Sequence, residues 1–559
     1  MNKIIMSIKI LPVIILLLIG NCYAQENLNK QVKVIKPYKP SISDAFKINY
    51  LPKIVDTVVV LPKFDYSIIN AKQIPTNFEV KPIKSAKMVG EPLTKLYHSQ
   101  IKLGYGSYLT PLVELDFNTL RSKKYSIGAN IKHFSSNGKI KMADDRKVYA
   151  GFSENSLSVF GRKLFDEKIV TGNIKYDNQN NYYYGYNVSK VNLLDTIVPE
   201  KKDDIEKQKF NTLSINTKLK TNYTDSLNLN YDIAIDYSYI EDINKISGNN
   251  FAISCNADYF FEKEFVGFES ELSYYKTDGT IDAVNYSILK FNPWIGAFSK
   301  KWQIVGGVNT YFEQDEAIYH LYPKVSLHYN IIEYFLIPYI EFTGYFENNS
   351  YKNIAFENPY INPIINVKPT NFKKIINGGL KGNFSSKIAF NFNAGFSEID
   401  NMYFYVNDTT NYLENKFTVV YDDVTLLKLL GEISVKNSEK LNFLIKANYY
   451  KYTMNNELRP WHKPQYNITV SAQYFLRNKI IVSGDVFAIS SQYVKLFDNN
   501  KNENKLEGIL DMNLGIEYKY TKVLSAFIQL NNIGATKYYK WNNYPLHRFN
   551  LMFGFVYSL

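Results

Sequence analysis

The chain has 559 residues, enough for three or four soluble domains or for one very large β structure. Its mean hydropathy of −0.26 is too polar for a bundle of membrane helices, but suits a membrane β-barrel, in which only alternate strand residues touch lipid. The formal net charge of +12 is unevenly placed, with 12 Lys and no Arg against 6 acidic residues in 25–98, and gives no ground for a nucleic-acid partner.

Residues 1–24 read as an export signal. Lys3 and Lys9 supply a positive start, and Ile10 to Gly20 supply an apolar stretch too short to span a bilayer comfortably. Small residues three and one before Gln25 predict cleavage after Ala24. Asn21 is a poor neighbour for lipoprotein processing at Cys22. The other cysteine, Cys255, then has no partner for a disulfide within the mature chain. Its neighbours Phe251, Ile253, Ala257 and Tyr259 share its parity, as befits a small apolar wall residue.

Residues 25–98 are unlike everything that follows. "VKVIKPYKP", "VVVLPKFDY" and "FEVKPIKSAK" repeat a β-branched, proline and lysine theme. Pro37, Pro40, Pro52, Pro62, Pro75, Pro82 and Pro92 recur too often for a helix or a central strand. The segment is expected to be an extended Pro/Lys-rich arm on the periplasmic side, without a core of its own.

From Ser99 to Leu559 the period is two. Leu227, Leu229, Tyr231, Ile233, Ile235, Tyr237 and Tyr239 form one face of a strand, and Asn228, Asn230, Asp232 and Asp236 stand on the other. Ile388 to Phe396 and Tyr466 to Tyr474 repeat the device. No stretch past the signal shows convincing helical periodicity. Ten short turns, such as Arg121–Lys124, Ser299–Lys301 and Thr521–Lys522, alternate with eleven other connections, most of them long polar loops. Among the loops are 135–147, 188–209, 240–250, 276–285, 313–323, 347–374, 398–425, 453–464 and 533–547. The count gives about 22 strands. Long loops on one rim and short turns on the other are the pattern of an all-β antiparallel transmembrane barrel. A soluble sandwich has neither that regularity nor apolar outer faces.

The chain ends in "HRFNLMFGFVYSL". Phe549, Leu551, Phe553, Phe555, Tyr557 and Leu559 alternate with more polar or smaller neighbours, so this strand is expected to turn its aromatic face to lipid and to act in insertion by the barrel-assembly machinery. Ser525–Leu559 resembles the end of TonB-dependent receptor barrels in Leu530, Asn531, Asn532, Ile533, Tyr538, Trp541, Tyr544, Pro545 and Tyr557. Leu559 departs from the usual terminal Phe. The resemblance implies a 22-strand barrel in the outer membrane and ligand transport across it. It fails at the other end. Such receptors carry a glycine-rich plug of about a hundred residues or more before the barrel, whereas here Gly90 is the sole glycine in 25–98. "DTVVV", Asp56, Thr57, Val58, Val59 and Val60, resembles a TonB box, which pairs as an added strand with its partner; an ordinary extended segment is the alternative.

The remaining residues offer little chemistry. His98, His133, His320, His328, His462 and His547 lack metal-ligand spacing, and no Ser-centred or phosphate-cradling motif stands out, so no catalytic, cofactor or metal site is expected. Tyr182–Tyr184, Tyr449, Tyr450, Tyr452, Tyr538, Tyr539 and Trp541 are expected in the interfacial girdles, with carbohydrate stacking as the alternative for Tyr412 and Trp461. Transport across the outer membrane is the leading expectation. The rival is a non-transporting barrel that acts in envelope assembly or as a tether, its basic arm holding a periplasmic partner or acidic cell-wall polymer.

Overall fold

The computed structural model describes residues 96–559 apart from 195–197, 223–228, 262–263, 280–283, 315–316, 333–334, 438–439, 478 and 499–500. The export signal, the proline-rich arm and the Asp56–Val60 segment lie outside the described residues. Twenty-two strands form one closed antiparallel sheet. They are Ser99–Gly106 (β1), Thr110–Asn118 (β2), Tyr125–Ser136 (β3), Phe152–Leu164 (β4), Lys168–Tyr182 (β5) and Lys207–Thr221 (β6). Next come Asn230–Asp242 (β7), Ser247–Phe261 (β8), Glu264–Asp278 (β9), Val284–Phe298 (β10), Trp302–Glu313 (β11) and Ile318–Tyr329 (β12). Ile337–Glu347 (β13), Thr370–Ser385 (β14), Ile388–Asn407 (β15), Phe417–Asn437 (β16) and Leu441–Met454 (β17) follow. Tyr466–Leu476 (β18), Ile480–Ile489 (β19), Ile509–Lys519 (β20), Leu524–Asn531 (β21) and Asn550–Ser558 (β22) complete the ring. Each strand pairs with its successor, and β22 closes on β1 with Leu103 opposite Phe555. Gly104 and Gly554 face each other at that seam. A Cβ on Gly554 would stand 2.1 Å from the Leu103 carbonyl oxygen, so only glycine lets the strands approach there.

The alternation in sequence becomes two unlike surfaces. Phe553 and Phe555 of β22, Ile528 of β21 and Tyr105 of β1 are 56%, 46%, 48% and 46% exposed, side by side on the outside. Water would penalise such a continuous apolar band, whereas lipid accepts it. Closure pairs the sheet edges that hydrocarbon could not satisfy. Many inward-facing residues are polar and bond across strands, beside an apolar cluster of Leu112, Phe527 and Met552 near the seam. Asn155 Nδ2 donates to Asn178 Oδ1 at 3.2 Å, Asn178 Nδ2 donates to Asn211 Oδ1 at 2.7 Å, and Lys102 pairs with Glu114 at 3.3 Å.

Several loop assignments are corrected. Residues 240–250, 276–285 and 313–323 belong mostly to strands, joined only through 243–246, 279–283 and 314–317. Residues 398–425 are not a loop either. They are largely the far ends of β15 and β16, which are 20 and 21 residues long, about twice what a membrane crossing needs. Polar residues such as Asp400, Asn401, Asp422 and Asp423 punctuate these ends and read as loop, yet cross-strand pairing continues to Asn407 opposite Phe417. Two short helices also stand where no helical period was legible: Val188–Leu194 (α1) and Tyr351–Glu357 (α2). Ser350 caps α2 by accepting from the Asn353 amide at 3.2 Å, and Pro359 lies just beyond its end.

The short-turn rim is basic. Arg121, Lys123 and Lys124 lie between β2 and β3, Lys300 and Lys301 between β10 and β11, Arg477 and Lys479 between β18 and β19, and Lys522 between β20 and β21. Among the described residues of the ten short connections, Asp166 and Glu167 are the acidic ones. By sequence alone, the remaining positions of these connections add Lys263 and the carboxylates Asp225, Glu262, Glu333 and Glu439.

Candidate functional site

The long-loop rim holds the main buried core among the described residues. Residues from 137–151, 183–206, 348–369, the β15–β16 tip and 532–549 meet in one apolar cluster that includes Val148, Tyr186, Val191, Tyr351, Ile354, Ile361, Phe417, Trp541 and Tyr544. Loop 183–206 and the β15–β16 tip are ten strands apart on the ring, nearly opposite each other. Their contact bridges the barrel mouth.

Each contributor is placed by its own element. Tyr351, Ile354 and Ala355 recur at the spacing of one helical face, so α2 presents an apolar stripe to the cluster. The protruding ends of β15 and β16 carry Tyr405 and Phe417 above the membrane band. The Tyr405 hydroxyl donates to the Ile354 carbonyl at 3.0 Å and to Glu357 at 3.1 Å, tying ribbon to helix. Tyr360 and Tyr544 stack with ring centroids 3.7 Å apart, and Tyr184 meets Tyr544 edge-on at 4.9 Å.

Polar bonds then lock opposite loops together. The Tyr183 hydroxyl donates to the Ile361 carbonyl at 2.9 Å, and Asn415 Nδ2 donates to the Tyr183 carbonyl at 3.0 Å. The Tyr184 hydroxyl donates to the Pro545 carbonyl at 2.8 Å, and that of Tyr544 donates to the Asn415 carbonyl. Lys416 pairs with Glu206 at 2.7 Å, and Lys190 pairs with Glu414. Asp422 receives the backbone amides of Asn455, Asn456 and Glu457, which fixes the start of loop 455–465.

His462 is the buried titratable hinge of this cap. Its Nδ1 donates to the Tyr405 carbonyl at 2.9 Å, leaving Nε2 to accept from the Asn542 amide at 3.4 Å, so the neutral ring alone satisfies both partners. Burial holds His462 down to about 4, and burial does the same to His547, which stacks on Tyr108 at 4.1 Å. Above the ordinary histidine value near 6.5 both folded and opened loops are neutral. As pH falls toward 4 the opened state takes the proton first, so stability is lost across that window, on the order of 3 kcal/mol for His462 alone. Amide exchange in 455–465 and 540–547, corrected for intrinsic rate, is expected to accelerate from pH 6.5 to 4, and His462→Gln to flatten the dependence. A pH-independent exchange in the unaltered chain contradicts this.

Beside the foot of loop 348–369, the inner faces of β9 to β13 line a recess of about 470 Å³. Glu269 there pairs with Lys324 at 2.9 Å and Lys290 at 3.6 Å, and Asn309 Nδ2 donates to the Gly344 carbonyl at 2.8 Å. Its walls suit a polar solute. Among the described residues no group of three or more His, Cys, Asp or Glu is disposed to hold a metal.

The sequence-based expectations meet this geometry unevenly. The terminal strand runs from Asn550 to Ser558, with Phe549 and Leu559 just outside it, and all six of its predicted outward residues are exposed. Tyr183, Tyr184 and Trp541 are not girdle residues; they are buried in the cap because loops, not lipid, surround them. Trp461 is 1% exposed and offers no face to a sugar, whereas Tyr412 is open. A barrel of this size without a plug is expected to be filled, with loops 347–374 and 398–425, the arm or a partner as candidates, and both of those loop segments enter the cap; the share of loop 183–206 was missed. Its signal was the run Asn180 to Asn187, which carries Tyr182, Tyr183, Tyr184 and Tyr186, too many rings for a solvated loop.

No protein-family model matches the chain, and no curated protein matches it. Solved structures do. The FrpB iron transporter from Neisseria meningitidis is 9% identical with a TM-score of 0.64, over 84% of this chain and 82% of that one. The ferric-catecholate import receptor Fiu from E. coli is 11% identical with a TM-score of 0.60, over 83% and 82%. The siderophore receptor PirA from Acinetobacter baumannii is 10% identical with a TM-score of 0.61, over 84% and 81%. At these identities the likeness is one of fold alone, and it agrees with the 22-strand barrel implied by the carboxy-terminal resemblance.

Proposed function

We propose that this barrel, which shares the fold of outer-membrane iron and siderophore receptors, carries a bulky solute across the outer membrane and that its long-loop cap is the gate. The observation that carries the reading is the cap, in which opposite loops meet across a polar-walled lumen. A barrel of this width would leak if open, so a closed mouth that is held by many separable contacts fits a conduit with regulated access. The mature chain starts at Gln25 in this reading, and Asp56–Val60 pairs with an energising periplasmic partner of the TonB kind. The arm without a glycine-rich plug favours the second reading, in which the barrel does not transport and the lysines of 25–98 tether a periplasmic partner.

One pair of variants separates the two. Val58→Pro removes a backbone donor from the added strand. Under the transport reading, uptake of radiolabelled ferric catecholate, or of the solute found by competition, falls to background while barrel abundance is unchanged. Under the tether reading Val58→Pro does little, and replacing Lys30, Lys33, Lys36 and Lys39 with Gln weakens co-purification of the periplasmic partner, a contact that added salt also weakens. Uptake and co-purification both indifferent to these changes would defeat both readings.

A further inference from the structure

The short-turn rim is most basic where the barrel closes. β22 pairs with both β21 and β1, and β1 pairs with β2, so the turns after β18, β20 and β2 stand along one arc of the rim. They present Arg477, Lys479, Lys522, Arg121, Lys123 and Lys124, all exposed. The β2–β3 turn is held in place. Ser122 Oγ accepts from the amides of Lys124 at 3.2 Å and Tyr125 at 3.3 Å, and the Lys124 carbonyl accepts from the Leu164 amide at 2.8 Å.

Under that turn the outward face has a trough. Phe117, Ala129 and Val159 lie in register across β2, β3 and β4. Phe117 and Val159 are 47% and 44% exposed and stand proud on either side, while Ala129 offers only a methyl between them. The result is a groove of about 610 Å³ with Ala129 on its floor, Phe117, Ile127 and Val159 as apolar walls, and His98 and Arg121 at its rim end. The walls fit a hydrocarbon chain. The rim end fits an anion.

We propose that this groove is a binding site for an anionic glycerophospholipid of the leaflet at the short-turn rim. One acyl chain lies over Ala129 between Phe117 and Val159, and the phosphate sits against Arg121, in the field of Lys123 and Lys124 on the same turn. The chain alone would take any lipid of that leaflet. The three cations make the choice, because a zwitterionic headgroup brings an ammonium into the same positive field while an anionic one does not. The neighbouring Lys522, Arg477 and Lys479 extend the field along the arc. The site rests on the reading of the chain as an outer-membrane barrel, but not on transport.

The test is native mass spectrometry of the full chain in neutral detergent, with equimolar dioleoylphosphatidylglycerol and dioleoylphosphatidylcholine. Phosphatidylglycerol adducts are expected to exceed phosphatidylcholine adducts several-fold. Replacing Arg121, Lys123 and Lys124 with Gln should abolish the preference, and Ala129→Trp, which fills the trough, should lower retention of both lipids. Equal adducts in the unaltered chain overturn the proposal, as does a preference that survives the triple replacement. Glycerophosphate that competes as well as the intact lipid would replace the acyl site with a free-anion site and overturn it too. Heat-modifiable gel migration is measured on every sample. Its absence in the unaltered chain defeats the barrel reading itself, which keeps the two failures apart.

Discussion

A chain ending at Arg548 is expected to leave no folded barrel in the outer membrane. β22 is bonded on both sides, to β21 with Leu530 opposite Leu551 and to β1 with Leu103 opposite Phe555. Its removal opens two strand edges inside the hydrocarbon, where each unsatisfied backbone group costs several kcal/mol. β21 and β1 are eight residues each and cannot simply re-pair, because their directions are set by the turns on either side. Immunoblots of membrane fractions, with and without heating, check this, and normal levels of heat-modifiable protein would refute it. The milder double change Phe555→Asp and Tyr557→Asp keeps the strand but places charge on its lipid face. Cations near the midplane cost about 2–4 kcal/mol and acids less, so abundance should fall without vanishing. These changes also bear on the proposed role of this strand in recognition by the assembly machinery.

Tyr544→Ala is expected to unfasten the cap while leaving the barrel intact. Tyr544 is 1% exposed, stacks on Tyr360, meets Tyr184 edge-on and donates to the Asn415 carbonyl. Truncation of so large a buried ring costs about 3–5 kcal/mol. The loss falls on loop contacts, because Tyr544 lies outside the membrane strands. Amides of 183–187, 360–361 and 413–417 should exchange faster, strand amides should not, and heat-modifiable migration should persist. Tyr544→Phe keeps the stacking and loses one hydrogen bond, about 1 kcal/mol, so its effect should be much smaller. Unaltered exchange in Tyr544→Ala would show that the cap does not depend on this ring cluster.

The architecture was legible because a barrel wall is governed by local rules. Alternation at Tyr466 to Tyr474 or Phe549 to Tyr557 depends only on lipid outside and water inside, and the short turns announce themselves by small and charged residues. The cap follows no such rule. Tyr183 is buried because Ile361 and Asn415, 178 and 232 positions away, come to meet it. In sequence only the crowding of rings at Tyr182, Tyr183, Tyr184 and Tyr186 sets it apart from the outward-facing tyrosines. The ends of β15 and β16 were misread for a related reason: above the membrane their surroundings change from lipid to the loop cluster, so the two-residue period dissolves while the hydrogen-bonded ladder continues. Helix α2 escaped because seven residues give barely two turns in which to read a period.

The seam has a consequence in time. Ser107 and Leu551, joined across it by a hydrogen bond, are 444 positions apart, so the first strand of the wall must wait for nearly the whole remaining chain before its second neighbour exists. Local hairpins form early, since each turn brings its own two strands together, but the ring cannot be sealed by any event near the start of synthesis. Throughout that interval β1 and, at the end, β22 are open sheet edges, the surfaces most prone to pair with a wrong chain. For this protein the slow and vulnerable stage is therefore the last one, and whatever escorts it to the membrane has to shield its two ends rather than its middle.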